Sequence, residues 1–97
     1  MSTNNRYLVA YCALSPLAIK LTGWRQEFRD EQCGFTLSHR MNGSLVLYPI
    51  NRPDDPEITV PPDGTVVEGQ MGAFFRRFCI CASAGDAASM IEQFNRS

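Results

Sequence analysis

Three groups of residues carry side chains that could do chemistry: one histidine, a close pair of cysteines, and a segment that interleaves phenylalanine with arginine. His39 is the only histidine in the chain. A histidine works as a general base when a second group orients it and a nucleophile lies within hydrogen-bond reach. The sequence places no carboxylate close to His39. We therefore predict that His39 packs near the tip of a hairpin, and we assign no catalytic residue.

The cysteine pair consists of Cys79 and Cys81, whose thiols would face the same side of a strand, about 7 Å apart. Structural zinc sites take four ligands, commonly from pairs on turns, and redox dithiols usually sit at helix N-termini. Neither context surrounds this pair, and the other donors, Cys12, Cys33 and His39, are scattered. We therefore expect reduced, mostly buried cysteines, with neither a metal nor a cofactor.

The phenylalanine–arginine segment resembles, in composition alone, the strands with which RNA-binding sheets display aromatic and basic side chains. Alternation along a strand places Phe74, Arg76 and Phe78 on one face. The chain carries nine basic and ten acidic side chains, a net charge of −1. Proteins that bind nucleic acid without sequence preference normally carry excess positive charge. Single-stranded nucleic-acid binding through these three residues is therefore an alternative and not the main hypothesis.

Length and composition indicate one globular domain. The chain has 97 residues, of which 44% are hydrophobic and 20% charged, ordinary values for a compact domain. We expect a single domain over residues 1–97, with flexible termini at 1–5 and 96–97. Because the sequence has neither a signal-peptide pattern nor an apolar run of membrane-spanning length, we also expect a cytoplasmic protein without a membrane partner.

The first element should be a strand over residues 7–14, where both alternating faces are apolar. Such a run is typical of a strand that lies centrally in its sheet and is covered on both sides. Ser15 and Pro16 then offer an N-cap and a first helical residue. The spacing of the following apolar residues predicts a helix that ends near Gln32. An alternative is that residues 17–22 form a strand paired back on the first. The face of the predicted helix consists of Leu17, Leu21, Trp24 and Phe28.

A hairpin is predicted over residues 35–50, because Asn42-Gly43 can form a two-residue type I′ turn. That turn sets His39 opposite Val46. One face of the hairpin then carries most of its apolar side chains, while the opposite face carries polar residues together with two leucines. We expect an exposed patch on this second face, formed by Leu45, Leu47, Pro49 and Arg40.

The remaining elements are two short edge strands at residues 57–60 and 65–68, a long strand over 73–82, and a helix over 84–95 capped by Ser83. Together the elements predict an α+β two-layer sandwich. A mostly antiparallel sheet of four to six strands would carry two helices on one face, in the order β-α-β-β-β-β-α.

The absence of a catalytic pattern favours a non-catalytic binding domain. Exposed apolar patches often mark interfaces, so the predicted patch at Leu45 and Leu47 points to a homodimer or to a protein partner. A product of a phage or mobile element that binds a host protein is one form of this hypothesis.

A small-ligand-binding domain, or an enzyme of modest activity, is the alternative. Its pocket would be lined by aromatic residues with polar tips, which are numerous for a purely structural core. The candidate pocket residues are Tyr7, Tyr11, Trp24, His39 and Tyr48.

Overall fold

The computed structural model describes residues 6–12, 15–29, 34–50, 54, 56–71 and 74–96. Within these residues the chain forms eight strands followed by one helix. The elements are β1 (Tyr7–Cys12), β2 (Ser15–Lys20), β3 (Arg25–Phe28), β4 (Phe35–His39), β5 (Leu45–Pro49), β6 (Ile58–Val60), β7 (Val67–Met71), β8 (Phe74–Cys81) and α1 (Ala84–Arg96).

The strands form two four-stranded antiparallel sheets. One sheet has the order β2-β1-β8-β7 and draws its strands from both ends of the described chain, so we call it the N/C sheet. The other has the order β3-β4-β5-β6, and its strands follow one another along the chain; we call it the middle sheet.

The core lies in two layers, one on each face of the N/C sheet. Between the two sheets, Phe35 of β4 meets Phe78 of β8 edge to face, with ring centroids 5.9 Å apart. On the other face, Val9 and Cys79 pack against Ala87 and Phe94 of α1. The fold therefore has three layers: helix, N/C sheet and middle sheet.

Several features predicted from the sequence are confirmed. The chain combines antiparallel sheet with a C-terminal helix, as the α+β class requires. β1 lies between β2 and β8 and is covered on both faces. The helix begins where expected, and the Ser83 hydroxyl accepts a hydrogen bond from the amide of Asp86 at 3.1 Å. β6 and β7 each lie at the edge of a sheet.

The predicted helix after Pro16 is wrong, and with it the two-layer arrangement of one sheet of four to six strands carrying two helices, since the strands form two sheets. Residues 15–20 instead form β2, which pairs with β1 as the alternative interpretation proposed, and residues 25–28 form β3. Leu21 is buried and Ile19 packs on the core, whereas Trp24 is 71% exposed. Ile19 and Leu21 thus point toward the core at every second position, as in a strand, and residues 15–28 form no apolar helical stripe. Residues 30–32 of the predicted helix lie outside the described residues.

The hairpin of β4 and β5 is confirmed, but its register differs by one residue. The amide of Arg40 donates to Ser44 O at 2.9 Å, and the amide of Gly43 donates to Arg40 O at 3.0 Å. Gly43 has a φ of +91°. These bonds define a three-residue loop that ends in a left-handed glycine, instead of a two-residue turn. His39 consequently lies opposite Leu45 and not Val46.

The shift of one residue exchanges the two faces of β5. Leu45 and Leu47 are 0% exposed and belong to the core between the sheets. The predicted exposed patch is therefore wrong for both leucines. Of the other two residues assigned to it, Pro49 is half-buried and Arg40 is exposed.

Candidate functional site

A cavity of about 370 Å³ opens at the corner where the chain passes from β2 in the N/C sheet to β3 in the middle sheet. We call it the corner pocket. Its volume is within the range of small-ligand sites. The residues that line it are Arg6, Leu21, Gly23, Trp24, His39, Arg40, Met41 and Gly43.

The turn between β2 and β3 is held by the side chain of Gln26. Its Oε1 accepts a hydrogen bond from the amide of Thr22 at 2.6 Å, and its Nε2 donates to Lys20 O at 3.1 Å. Gly23 provides the positive φ of 68° at which the chain changes direction. These contacts fix the position of Trp24 at the rim of the pocket.

Arg6 connects the start of β1 with the β4–β5 hairpin. Its Nη1 donates to Gly43 O at 3.0 Å, and its Nη2 lies 3.2 Å from Nδ1 of His39. A guanidinium can only donate, so Nδ1 is the acceptor and neutral His39 carries its proton on Nε2. Nε2 is itself buried and has no hydrogen-bond partner among the described residues. Burial, and next the charge of Arg6, lower the pKa of His39 below 6.5.

The corner pocket is positively charged. Arg6 and Arg40 both line it, and no acidic side chain is among its described lining residues. Arg40 is exposed and has no ion pair within the described part of the chain. Since His39 is held neutral, the two arginines supply the charge of the site.

The same site presents apolar surface to solvent. Trp24 is 71% exposed and Met41 is 98% exposed, and both lie at the pocket. The indole of Trp24 meets the ring of His39 edge to face, with centroids 6.3 Å apart. Trp, Met and Arg are the residue types enriched in the centres of binding surfaces.

A histidine that acts as a general base usually has a carboxylate beside it that orients the ring. Beside His39 lies the guanidinium of Arg6 instead. The described lining residues include no serine, threonine or cysteine that could act as a nucleophile. The arrangement is thus suited to holding a ligand by charge and by apolar contact.

Cys79 and Cys81 lie on the helix-facing side of β8, with their sulfurs 3.8 Å apart. Burial is the main reason that the pKa of Cys79 rises to about 12, with the neighbouring Cys81 adding to the shift. Burial also raises the pKa of Cys81. Both groups are therefore neutral thiols near pH 7, and the described residues contain no cluster of three or more potential metal ligands. The side chain of Cys12, and Cys33 as a whole, lie outside the described residues.

The structure brings together only two of the five residues predicted to form a pocket. Trp24 and His39 share the corner pocket. Tyr7 and Tyr11 instead pack beneath α1 on the opposite face of the N/C sheet. Tyr48 lies on the face of the middle sheet that is turned away from the core.

Sequence reasoning missed Arg6 and Met41 as members of a site. Arg6 reaches Gly43 across 37 positions of the chain, and no local pattern encodes such a contact. The position of Met41 at the tip of the predicted hairpin is the one sequence feature that could have indicated an exposed side chain there.

Two of the three residues of the predicted nucleic-acid surface on β8 are buried. Arg76 and Phe78 are 1% and 0% exposed, because their face of β8 lies between the two sheets. The side chain of Phe74 lies outside the described residues. Arg77 points to the other face, where its guanidinium carbon lies 4.9 Å from the ring centre of Tyr11 and 5.0 Å from that of Phe94.

In comparisons with known proteins, no family model, curated protein or solved structure matches the chain. No helix among the described residues has the length and apolar character that a bilayer crossing requires.

Proposed function

We propose that this protein is a non-catalytic binding domain and that its corner pocket holds an anionic group of the ligand. The observation that carries the proposal is the convergence of Arg6 and Arg40 on one cavity whose described lining has no acidic residue. Arginine recognises carboxylates and phosphates through paired charge-assisted hydrogen bonds.

Both arginines have capacity to bind an anion. Arg6 uses one donor on Nη1 for Gly43 and one on Nη2 for His39, and each of these nitrogens carries a second hydrogen. Arg40 adds a second guanidinium, which has no ion pair among the described residues. A hydrogen bond to a charged group contributes about 1.5–3 kcal/mol, so bonds from both arginines would supply most of the favourable energy for holding a single carboxylate.

The apolar part of the site favours a ligand that is more than a bare ion. Trp24 and Met41 leave a large apolar surface in water next to the charged cavity. A protein partner, including a host protein bound by a phage or mobile-element product, fits such a surface. A homodimer stays a prediction that would now involve Trp24 and Met41, since Leu45 and Leu47 lie in the core. A cytoplasmic location also stays a prediction.

The test is a fluorescence titration, because Trp24 is the only tryptophan of the chain and lies at the pocket. N-acetyl-leucine, which has a free carboxylate, should change the Trp24 emission in a saturable way, and its neutral amide should not. Arg40→Gln should weaken binding of the carboxylate about tenfold, the equivalent of one charged hydrogen bond.

Arg96→Gln is the matched control, because Arg96 is exposed on α1, away from the pocket, and forms an ion pair with Glu92 at 3.4 Å. This control should bind as the unaltered protein does. Equal binding of the carboxylate and its amide, or equal losses in both variants, would refute an anion-binding pocket.

A further inference from the structure

The edge of β3 is open within the described part of the chain. β3 pairs with β4 on one side, and no described strand pairs with it on the other. Trp24, which lines the corner pocket, directly precedes the first residue of β3. The open edge therefore begins one residue from the charged cavity.

The hydrogen-bond pattern shows which backbone groups face outward. The amide of His39 donates to Trp24 O at 3.0 Å, which makes Trp24 and His39 a hydrogen-bonded pair. In an antiparallel ladder such pairs alternate with pairs that make no such bonds. With the observed register, Gln26 and Phe28 bond to β4. The amide and carbonyl groups of Arg25 and Glu27 then point away from β4, toward the open side.

Two of the other sheet edges carry features that hinder strand addition. β2, at the edge of the N/C sheet, contains Pro16. β6, at the edge of the middle sheet, has three residues and is followed by Pro61. Proline, which lacks a backbone N–H, is a common means of protecting an edge. The sequence of β3, by contrast, is RQEF, with a backbone N–H at every position.

Building on the proposed function, we infer that the ligand is the extended C-terminal tail of another protein, which adds to β3 as an antiparallel strand and places its terminal carboxylate in the corner pocket. β3 runs away from the pocket, from Arg25 to Phe28. A strand antiparallel to β3 therefore runs toward the pocket and ends there. A parallel strand would bring its N-terminal amine to Arg6 and Arg40, and like charges would oppose binding.

The three parts of the site then have separate roles in recognition. Main-chain bonds to Arg25 and Glu27 provide affinity that depends little on sequence, as in other cases of strand addition. The arginines select the terminal carboxylate by charge. Trp24 and Met41 offer apolar contact to the last side chains of the tail.

The experiment compares a short peptide with its own terminal residue, both followed by Trp24 fluorescence. The peptide is acetyl-Ser-Thr-Val-Thr-Val-Leu with a free carboxylate, and the single residue is N-acetyl-leucine. We expect the peptide to bind at least about tenfold more tightly, because it adds several main-chain hydrogen bonds. Its C-terminal amide should lose most of this affinity.

The protein variant Glu27→Pro removes one outward amide and leaves the bonds to β4 in place. It should weaken binding of the peptide by a factor of about five, the equivalent of one main-chain hydrogen bond, without changing the affinity for N-acetyl-leucine. Glu27→Gln is the control, because both variants remove the 3.0 Å ion pair with Arg29 and only the proline removes an amide. N-methylation of the peptide at alternate residues removes its donors to the carbonyls of Arg25 and Glu27 and places methyl groups against β3, without altering the protein. One of the two alternations should therefore bind no better than N-acetyl-leucine.

The outcomes separate the two proposals. A peptide that binds no better than N-acetyl-leucine overturns the inference about the tail and leaves the anion pocket intact. Failure of N-acetyl-leucine itself to bind refutes both proposals. A dimer in light scattering that Glu27→Pro converts to a monomer would show that a second copy occupies the edge, and this too would overturn the inference.

Discussion

Nη2 of Arg6 donates to Nδ1 of His39 across 3.2 Å, so a permanent cation is bonded to the only imidazole of the protein. Arginine stays charged at every accessible pH, and protonation of His39 would place two positive groups in direct contact. The contact therefore adds to the effect of burial in opposing protonation of His39, and it ties the start of β1 to the end of β4.

Acidification should destabilise the fold through His39. Burial first, and Arg6 second, lower the pKa of His39 in the folded protein below 6.5. The unfolded chain then binds the proton more readily, so stability is fully present above about pH 6.5 and falls as the pH drops through the folded pKa. Urea unfolding at about pH 7 and pH 5 measures the loss.

Arg6→Gln should raise the pKa of His39 without restoring its unfolded value, because burial remains. The histidine Hε1 signal in an NMR titration reports this pKa directly. Arg25→Gln is the control, since Arg25 is exposed and does not line the corner pocket. An unchanged His39 pKa in Arg6→Gln would show that the arginine does not act on the imidazole.

Gly69 permits the close approach of the two sheets at their β6–β7 side. A Cβ at this position would lie 2.5 Å from Cδ1 and 2.7 Å from Cγ1 of Ile58. Gly69→Ala should therefore destabilise the protein by about 1–3 kcal/mol, the usual cost of overpacking. In an Ile58→Ala background the cost should be smaller, and a double-mutant cycle in urea measures the difference.

Gly85→Ala provides a contrast for this prediction. Gly85 lies in α1, and a Cβ there would meet nothing closer than 3.9 Å. This substitution should stabilise the protein by up to about 1 kcal/mol through helix propensity. A neutral Gly69→Ala would show that Ile58 rotates away at no cost.

The hairpin loop should depend on Gly43 for two separate reasons. Its φ of +91° is costly for other residues, and a Cβ would lie 3.3 Å from Cβ of Pro62. Gly23 has a positive φ of 68°, and a Cβ added there would have nothing within 4 Å, so Gly23→Ala measures the backbone cost alone. We expect about 1–2 kcal/mol for Gly23→Ala and a larger loss for Gly43→Ala. Equal losses in thermal or urea unfolding would mean that the Pro62 contact is relieved without cost.

Alkaline conditions should weaken the fold through Cys79. Its pKa rises from 9.0 to about 12 on folding, mainly because of burial. The stabilising contribution is therefore fully present below about pH 9 and is lost as the pH rises toward about 12, with a slope of at most about 1.4 kcal/mol per pH unit. Cys79→Val removes the group, so its unfolding free energy should fall less steeply above about pH 9. Identical slopes in the two proteins would contradict the assigned pKa.

Local chemistry made part of the fold predictable. The run from Tyr7 to Cys12 is apolar on both faces, and a strand with two covered faces is the arrangement that buries it. Ser83 offers a cap to the amide of Asp86 three residues later, and the stripe of α1 follows from that start. In each case the determining residues lie within one turn or one strand of each other.

The predictions from sequence were wrong where one local sequence pattern is compatible with two different structures. Leu17 and Leu21 are compatible with a helical face and with the alternation of a strand, and pairing with β1 decided between them. Asn42-Gly43 suits both a two-residue and a three-residue loop, and burial of Leu45 and Leu47 selects the second. The corner pocket was not predictable, because it depends on Arg6 meeting a hairpin 37 positions away.

We expect the arrangement of the two sheets to set an order of folding. Strands of the middle sheet pair with their sequence neighbours, whereas Tyr7 pairs with Cys81 in the N/C sheet. Closing so long a loop is slow, because the chain loses conformational entropy before the stabilising contacts between β1 and β8 form. In pulsed hydrogen exchange, the amides that join β4 to β5 should gain protection before those that join β1 to β8. The β3–β6 meander would then act as the template on which the two ends of the chain meet.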